Sequence, residues 1–356
     1  MIIIHAAIGE IMIFAANANQ KLAADISRTL GIPIGKSKVT QFHDGEINMR
    51  VLETVRGADV FIIQSTAPPV NDHLMELLIM LDAMRRSSAG RITAIIPYYG
   101  YARQDRKARS HDPISAKLVA DLLTTAGADR ILSMDLHSPQ IQGFFNIPLD
   151  HLKGAYLFAD YIRQGFGDDL SDLVIVSPDL GSVSRCTSFA EVLGGNVPLA
   201  IVDKRRPRDN ESEVANFIGD VKDKIAILFD DVLSTGGSLC NAAQTVKDNG
   251  AKAVYACITH PVLARDAVRL IEESVLEEVV FLDTIEIKPE VPHEQITLDW
   301  TVSSDFTGQP RLRKPRSERG GPKIKVLSAA ETLAKAINCI HTGKSIGELF
   351  KVILPL

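Results

Sequence analysis

Short apolar runs recur along the chain between polar stretches. Such runs, bounded by turn residues, are typical of strands buried in a sheet. They predict strands at Met12–Ala15, Val60–Gln64, Ile92–Pro97, Arg130–Met134, Leu173–Ser177, Pro198–Val202, Ile225–Phe229, Ala253–Thr259 and Glu278–Leu282. Amphipathic patterns between them predict helices at Asn71–Arg86, Ile114–Thr125, Val183–Leu193 and Leu239–Asn249. Strands that alternate with helices indicate parallel sheets covered by helices, an α/β fold.

The alternation falls into two sets, one before about residue 150 and one after it. A chain of 356 residues is long enough for two cores. The polar segment from 286 to about 325, rich in Pro, Gly and Arg, interrupts the second set. It predicts an inserted, mobile loop at the periphery of the second domain, with Arg311, Arg313 and Arg316 in solvent. A closing helix at about Leu327–His341 is expected on the same domain.

The overall composition is that of an ordinary globular protein, with 46% hydrophobic residues, 23% charged residues and a net charge of −5. Without a broad basic excess, nucleic acid is not expected as the main partner. No apolar run reaches the roughly 18 residues that span a membrane. The cysteines are widely spaced, form no metal-ligand pattern and suit a reducing cytoplasm; they are Cys186, Cys240, Cys257 and Cys339.

The segment FDDVLSTGGS, residues 229–238, places Asp230 and Asp231 at the end of a predicted strand and two glycines before a predicted helix. Glycine N–H groups and a helix N-terminus suit a phosphate. The two acids would repel a phosphate and suit hydroxyls or a metal instead. A sugar phosphate offers both kinds of group. A plain capped turn between a strand and a helix is the alternative interpretation.

Five other segments carry similar chemistry. They are FHDGE (42–46), YYGYARQDRKARS (98–110), DLHSPQIQGFF (135–145), SPDLGSVSR (177–185) and VDKRRPRDN (202–210). Singly, each has a structural interpretation, since a histidine after a strand is more often structural and a basic run is usually a solvated face. Strand ends in open parallel sheets are, however, where ligands bind. Together the segments indicate a polyphosphate with its magnesium ions, and an aromatic residue beside Arg–Gln suits a purine.

With AANANQKLA, QSTAPPVNDHLMELL and GAKAVYACITHPVL, these segments resemble the class I ribose-phosphate diphosphokinase (phosphoribosyl diphosphate synthetase) family over about 12–287 and 325–350. The resemblance implies two duplicated phosphoribosyltransferase-type domains, 12–152 and 153–344, each a mainly parallel sheet flanked by helices, with 345–356 packing on the first. It also implies a homohexamer that transfers the diphosphoryl group of ATP to the 1-hydroxyl of ribose 5-phosphate, for nucleotide biosynthesis.

The resemblance also assigns roles to individual residues. ATP is assigned to Phe42, Asp44, Gly45, Glu46, Arg103 and Gln104. Of these, Phe42, Asp44 and Glu46 are expected to reach in from a neighbouring subunit. The Mg²⁺ cofactor is assigned to His137 and Asp179. Ribose 5-phosphate is assigned to Asp230, Asp231, Ser234, Thr235, Gly236, Gly237, Ser238 and Arg206. Lys204 and Arg206 match the catalytic pair on a closing loop, and phosphate and ADP are the expected effectors.

The chain departs from this family at three positions. Ser234 stands where the family usually has an acid, Ser238 where it has threonine, and Ser182 where it generally has a glycine. If that glycine needs a positive φ, Ser182 would be strained. Two alternatives therefore stay open: a weakly active regulatory subunit, and a phosphoribosyltransferase that consumes the activated sugar. An assay for AMP release from ATP and ribose 5-phosphate distinguishes an active diphosphokinase from these two alternatives.

Overall fold

The structure is a computed structural model that describes residues 9–205, 214–287, 291–296, 321–347 and 349, with the backbone alone at 204–205, 214–216 and 294–296. The chain divides into two compact units. The first takes in the described residues up to Lys153, the short stretch Thr284–Glu286 and the described residues from Ala329 onward. The second comprises Gly154–Asp283 and the described residues between Ile287 and Ser328.

The first unit is built on a five-stranded parallel sheet in the order β1-β4-β5-β6-β7. The strands are β1 (Ile11–Ala15), β4 (Asp59–Ile63), β5 (Arg91–Ile96), β6 (Arg130–Met134) and β7 (Leu149–Leu152). The helices α1 (Gln20–Leu30), α2 (Val70–Arg86) and α3 (Ser115–Ala126) turn their apolar faces inward. β2 (Ser37–Gln41) and β3 (Ile47–Val51) form a separate antiparallel hairpin.

The last helix, α8 (Ala330–Thr342), packs on α1 and belongs to the first unit, whereas the sequence analysis placed it on the second domain. Its end is held by the carboxylate of Asp59, which is fully buried. Arg91 donates to both oxygens of that carboxylate, at 2.8 and 2.6 Å, and to the carbonyl oxygen of Ile340 at 3.1 Å. His341 Nδ1 lies 2.8 Å from Asp59 Oδ2.

The second unit is built on an eight-stranded sheet in the order β10-β9-β8-β11-β12-β13-β15-β14. Among the described strand pairs of this sheet, only β9–β10 is antiparallel. The strands are β8 (Leu173–Ser177), β9 (Leu199–Arg205), β10 (Val214–Ile218), β11 (Ile225–Leu233), β12 (Ala253–Pro261), β13 (Glu278–Leu282), β14 (His293–Ile296) and β15 (Ile324–Leu327). The helices are α4 (Ala155–Phe166), α5 (Val183–Val192), α6 (Gly237–Asp248) and α7 (Ala267–Glu273). Phe229 is buried, stacked on Phe189 and edge-on to Phe158.

The predicted loop at about 286–325 contains secondary structure. His293–Ile296 forms β14, which pairs in parallel with β15 at the edge of the sheet. Just before β15, the buried ammonium of Lys323 donates to the carbonyl oxygens of Ile271, Glu272 and Ser274, at 2.9, 3.0 and 2.9 Å, at the end of α7. The part that holds Arg311, Arg313 and Arg316 lies outside the described residues.

The predicted fold class is confirmed, since both units are mainly parallel sheets with packed helices. No helix in the described part of the chain combines the length and the apolar character needed to cross a membrane.

Candidate active site

The first unit has a candidate site where β5 and β6 end. These strands are parallel neighbours, so the loops that follow them, 97–110 and 135–138, emerge at the same edge of the sheet. The first loop contains Arg103 and Gln104, and the second contains His137. Two segments that the sequence analysis treated separately are therefore brought to one edge by the strand order.

Arg103 and Gln104 are exposed on a loop that also contains two buried tyrosines, Tyr98 and Tyr99. The hydroxyl of Tyr99 donates to the carbonyl oxygen of Ala116 at 2.9 Å, which joins the loop to the first turn of α3. The side-chain oxygen of Gln104 accepts from Ser115 at 2.5 Å, and its carbonyl oxygen accepts from the Ala116 N–H at 3.2 Å. Gln104 is thus fixed, and the guanidinium of Arg103 beside it remains accessible to an anion or a ring.

His137 follows a tight bend at the end of β6. Asp135 is buried, has φ of 34°, and donates its N–H to the carbonyl oxygen of Leu152 at 3.0 Å. The next N–H, of Leu136, donates to His151 Nε2 at 2.9 Å. These bonds turn the chain abruptly after the strand, and they leave His137 half-buried at the edge of the sheet.

The tip of the β2–β3 hairpin carries the other predicted nucleotide residues. Phe42 is 53% exposed, and Asp44, Gly45 and Glu46 are exposed as well. Gly45 has φ of 98°, which only glycine adopts without strain, and its N–H donates to the carbonyl oxygen of Phe42 at 3.0 Å. Among the described residues no hydrogen bond joins this tip to the loop of Arg103. The hairpin therefore presents an aromatic ring and two acids to the outside of its own unit.

The second unit has its own candidate site at the ends of the parallel neighbours β8 and β11. Asp179 follows β8 and caps a short 3-10 helix by accepting the N–H of Ser182 at 2.9 Å. Asp230 and Asp231 lie within β11, which extends to Leu233, beyond the predicted end at Phe229. Because successive side chains of a strand point to opposite faces, the strand aims the two acids in different directions.

Arg185, on the first turn of α5, joins the two acids. Its Nη1 lies 2.7 Å from Asp230 Oδ1 and 3.1 Å from Asp231 Oδ1. Ser182 Oγ donates to Asp230 Oδ1 at 2.8 Å, and the Asp231 N–H donates to the same oxygen at 2.9 Å. Ser182 also has an ordinary helical φ of −91°, so the strain considered in the sequence analysis is absent. One serine thus links the Asp179 carboxylate to the Asp230 carboxylate.

The pKa of Asp230 lies above its usual range. Burial is the largest cause, followed by the charge of the adjacent Asp231. The Arg185 guanidinium and the hydrogen bond from Ser182 act in the opposite direction and lower the pKa. About a fifth of the Asp230 side chain is nevertheless exposed. The site is therefore a partly open acid pair whose negative charge is only partly compensated, which favours a ligand that donates hydrogen bonds.

The loop Ser234–Ser238 runs from β11 into the N-terminus of α6. Gly236 is the N-cap residue and has φ of 82°, so only glycine turns the chain here without strain. Gly236 has no side chain with which to cap the helix, and the first N–H groups of α6 point towards the loop. The Ser234 carbonyl oxygen accepts the Ala264 N–H at 2.9 Å, which anchors the other end. The loop is a candidate anion cradle because glycine backbone and a helix N-terminus coincide.

Of the two predicted catalytic cations, only the backbone of Lys204 lies within the described residues. Lys204 is in β9, opposite Ala215 of β10, and its side chain lies outside the described part of the structure. Arg206 follows β9 directly and also lies outside the described residues. One residue of the site in the second unit, Arg185, was not among the predicted site residues. Arg185 closes the segment SPDLGSVSR, and a cation at the end of a loop with an acid and a glycine was the available signal.

Comparisons with known proteins cover both units. Family models described as the N-terminal domain of ribose phosphate pyrophosphokinase and the phosphoribosyl synthetase-associated domain match residues 11–127 and 200–301. A ribose-phosphate pyrophosphokinase of Clostridium perfringens is 53% identical over 96% of this chain and 98% of its own. A ribose-phosphate pyrophosphokinase of Bacillus subtilis is 46% identical over 95% of this chain and 96% of its own. The crystal structure of phosphoribosylpyrophosphate synthetase from Mycobacterium smegmatis matches with a TM-score of 0.81 at 40% identity, over 94% of this chain and 99% of that one.

Proposed function

Because the chain belongs to the ribose-phosphate pyrophosphokinase family, we propose that its strand-end loops bind ATP on the first unit and ribose 5-phosphate on the second. The reaction transfers the diphosphoryl group of ATP to the 1-hydroxyl of ribose 5-phosphate and releases AMP. The resemblance drawn from the motifs is confirmed. Neither a regulatory subunit nor a phosphoribosyltransferase is favoured, since the relatives match along nearly the whole chain.

The acceptor half carries the proposal furthest. Asp230 and Asp231 stand immediately before the turn at Gly236 and the N-terminus of α6. Acids suit the ring hydroxyls of a sugar, and the backbone N–H groups with the positive helix end suit its phosphate. We assign the phosphate to Ser234, Thr235, Gly236, Gly237 and Ser238. Acids that suit hydroxyl groups therefore stand close to backbone N–H groups that suit a phosphate, and this combination supports a sugar phosphate better than a simple anion.

The nucleotide half is assigned to the exposed guanidinium of Arg103 and the fixed amide of Gln104, which suit a purine ring. The hairpin tip with Phe42, Asp44 and Glu46 is exposed, which supports its action on a neighbouring subunit of a homo-oligomer. Exposed cations at Arg56 and Lys107 suit the phosphate and ADP effectors. The oligomer is proposed to be a hexamer.

The residues present fit a magnesium ion that arrives with the nucleotide. Mg²⁺ is usually bound by one or two carboxylates together with substrate phosphates and water. Asp179 is exposed and engages one oxygen with the Ser182 N–H, which leaves the other oxygen for a cation. His137 is a weaker match because Mg²⁺ prefers oxygen ligands, so it would act through a bound water. When bound, the ion would neutralise part of the negative charge of the triphosphate.

In the proposed mechanism the anomeric hydroxyl oxygen attacks the β-phosphorus and loses its proton to water, and the bond from that phosphorus to the bridging oxygen of AMP breaks. Negative charge spreads over the equatorial oxygens in the transition state. Cations positioned at those oxygens are then the main catalytic device, and this role is assigned to Lys204 and Arg206. The acids of β11 hold the sugar so that its anomeric hydroxyl stays directed at the phosphorus.

The direct test measures AMP release by the purified chain with ATP, Mg²⁺ and phosphate, with and without ribose 5-phosphate. We expect AMP and phosphoribosyl diphosphate in equal amounts, and only when ribose 5-phosphate is present. A chain that needs a second protein for this release would instead be a regulatory subunit. Consumption of phosphoribosyl diphosphate with a nucleobase, without AMP release from ATP, would indicate a phosphoribosyltransferase.

Lys204→Ala tests the proposed catalytic cation. We expect kcat to fall at least about 100-fold while ATP affinity changes less than about threefold, because the charge is needed only as negative charge develops. Lys252→Ala is the matched control, since Lys252 is exposed in the same unit before β12. An equal loss of ATP affinity, measured by calorimetry, would make Lys204 a ground-state contact and contradict this role.

A further inference from the structure

The two oxygens of the Asp230 carboxylate are treated differently by their surroundings. Oδ1 accepts three hydrogen bonds, from Ser182 Oγ at 2.8 Å, Arg185 Nη1 at 2.7 Å and the Asp231 N–H at 2.9 Å. Among the described residues, no hydrogen bond reaches Oδ2. A fifth of the side chain is exposed. Oδ2 is therefore the oxygen that this site leaves for a ligand.

Ser182 is itself held tightly in place. Its N–H donates to Asp179 Oδ1 at 2.9 Å, and its Oγ lies 3.3 Å from Arg185 Nη1, which donates to it. The residue is 4% exposed and has a relaxed helical backbone at the start of α5. A hydroxyl has one proton to donate, and this proton goes to Asp230. The direction of the bond from Ser182 to Asp230 is thus defined by the groups around it.

Arg185 alone would not select one orientation of Asp230. Its Nη1 is shared between Asp230 at 2.7 Å and Asp231 at 3.1 Å. An arginine placed between two carboxylates neutralises both and tolerates rotation of either. The hydroxyl proton of Ser182 goes to Asp230 and not to Asp231, so Ser182 is the group that distinguishes the two acids.

We propose that Ser182 is a positioning residue for the sugar acceptor, which holds Oδ1 of Asp230 inward so that Oδ2 accepts a hydrogen bond from a ribose hydroxyl. This inference rests on the proposed function of the acid pair. Ser182 does not touch the sugar. It acts through Asp230, so its removal loosens the acceptor and leaves the nucleotide half unchanged.

The test is Ser182→Ala, which removes the hydroxyl and keeps the Cβ and the backbone N–H. The KM for ribose 5-phosphate should rise about five- to tenfold, the effect expected for the loss of one ordinary hydrogen bond, since Ser182 acts on the sugar only through Asp230. The KM for ATP should stay within about twofold, and so should kcat. Ser188→Ala is the matched control, because Ser188 is an exposed serine on the same helix. Its KM values should equal those of the parent.

A double-mutant cycle with Asp230→Asn separates positioning from a general structural effect. In a protein that already carries Asp230→Asn, the further change Ser182→Ala should alter the KM for ribose 5-phosphate less than about twofold. A full five- to tenfold effect in that background, or an equal rise in the KM for ATP, would overturn the proposal.

Calorimetric titration of the parent and Ser182→Ala with ribose 5-phosphate gives the same comparison without turnover. If the unsubstituted protein binds the sugar phosphate but releases no AMP, the proposed reaction is refuted. The comparison of affinities still tests the positioning role of Ser182. Equal affinities of the parent and the variant would refute the positioning role alone.

Discussion

Asp230 and Asp231 place two carboxylates beside one guanidinium, and this arrangement makes the apo protein sensitive to pH. Burial and the charge of Asp231 raise the pKa of Asp230 above that of an unfolded aspartate, which is about 4. The folded state then binds the proton more tightly than the unfolded state. The contribution of Asp230 to stability is therefore fully present below pH about 4, and it is lost as the pH rises through the raised pKa.

Asp230→Asn should remove this dependence. The melting temperature of the variant minus that of the parent should become more positive between pH 5 and pH 8, because asparagine carries no buried charge. Arg185 keeps Asp231 as a partner in the variant, at 3.1 Å. Asp223→Asn serves as the control, since Asp223 is exposed and has a positive φ that asparagine tolerates. A difference that stays constant with pH, measured by scanning calorimetry without ligands, would contradict the argument.

The end of α7 depends on a residue that is distant in sequence. The ammonium of Lys323 donates to three carbonyl oxygens at this helix end, where the last carbonyl groups have no N–H of a further helical turn to accept from. Lys323→Met should lower the free energy of unfolding by about 2–4 kcal/mol, because it removes three hydrogen bonds that a buried charged group donates. Lys247→Met removes one exposed bond to the Lys252 carbonyl oxygen and should cost less than about 0.5 kcal/mol. Equal urea midpoints for the two variants would show that Lys323 is not an anchor.

The strands that the sequence predicted most clearly are those whose residues are all buried. β4 and β8 are buried throughout, so each appears as a continuous apolar run. Neither strand of the β2–β3 hairpin contains a fully buried residue, and its mixture of polar and apolar residues therefore gives no such signal. β14 is a four-residue edge strand inside a polar segment. Propensity alone cannot separate it from a loop, because the neighbouring strand β15 supplies its hydrogen bonds.

The sequence predicted the class of ligand that the site residues bind, but only part of the contacts between those residues. Acids, glycines and cations at strand ends identified the ligand class, since parallel strands bring their carboxyl ends to one edge. The bond between Ser182 and Asp230 spans 48 residues and depends on β8 lying next to β11. No local pattern reports such a pairing. The same limit explains why the contact of His341 with Asp59, across 282 residues, was missed.

At the scale of the molecule, the first unit needs the end of the described chain for its completion. A fragment of residues 154–328 holds all eight strands of the second sheet, and we expect it to fold alone with a cooperative urea transition. A fragment that ends at Lys153 lacks α8, which exposes the face of α1 that it covers and deprives Arg91 of the Ile340 carbonyl oxygen. This fragment should be much less stable or should aggregate.

Fusion of residues 329–356 to Lys153 through a long Gly–Ser linker should restore a cooperative transition of the first unit, measured by circular dichroism in urea. The linker adds little cost because the closure entropy of a loop grows slowly with its length. A 1–153 fragment as stable as the fused one would show that α8 is dispensable to that unit.

The packing of α8 on the first unit has a consequence for the order in which the protein is made. A ribosome adds about 5–20 residues per second, so roughly 10–40 s pass between the appearance of Lys153 and that of α8. During this interval the first sheet has been synthesised and still lacks a helix, while the second unit emerges complete. The unit that is translated first is thus the one that matures last. A nascent chain paused before residue 329 would expose the uncovered face of α1 to chaperones.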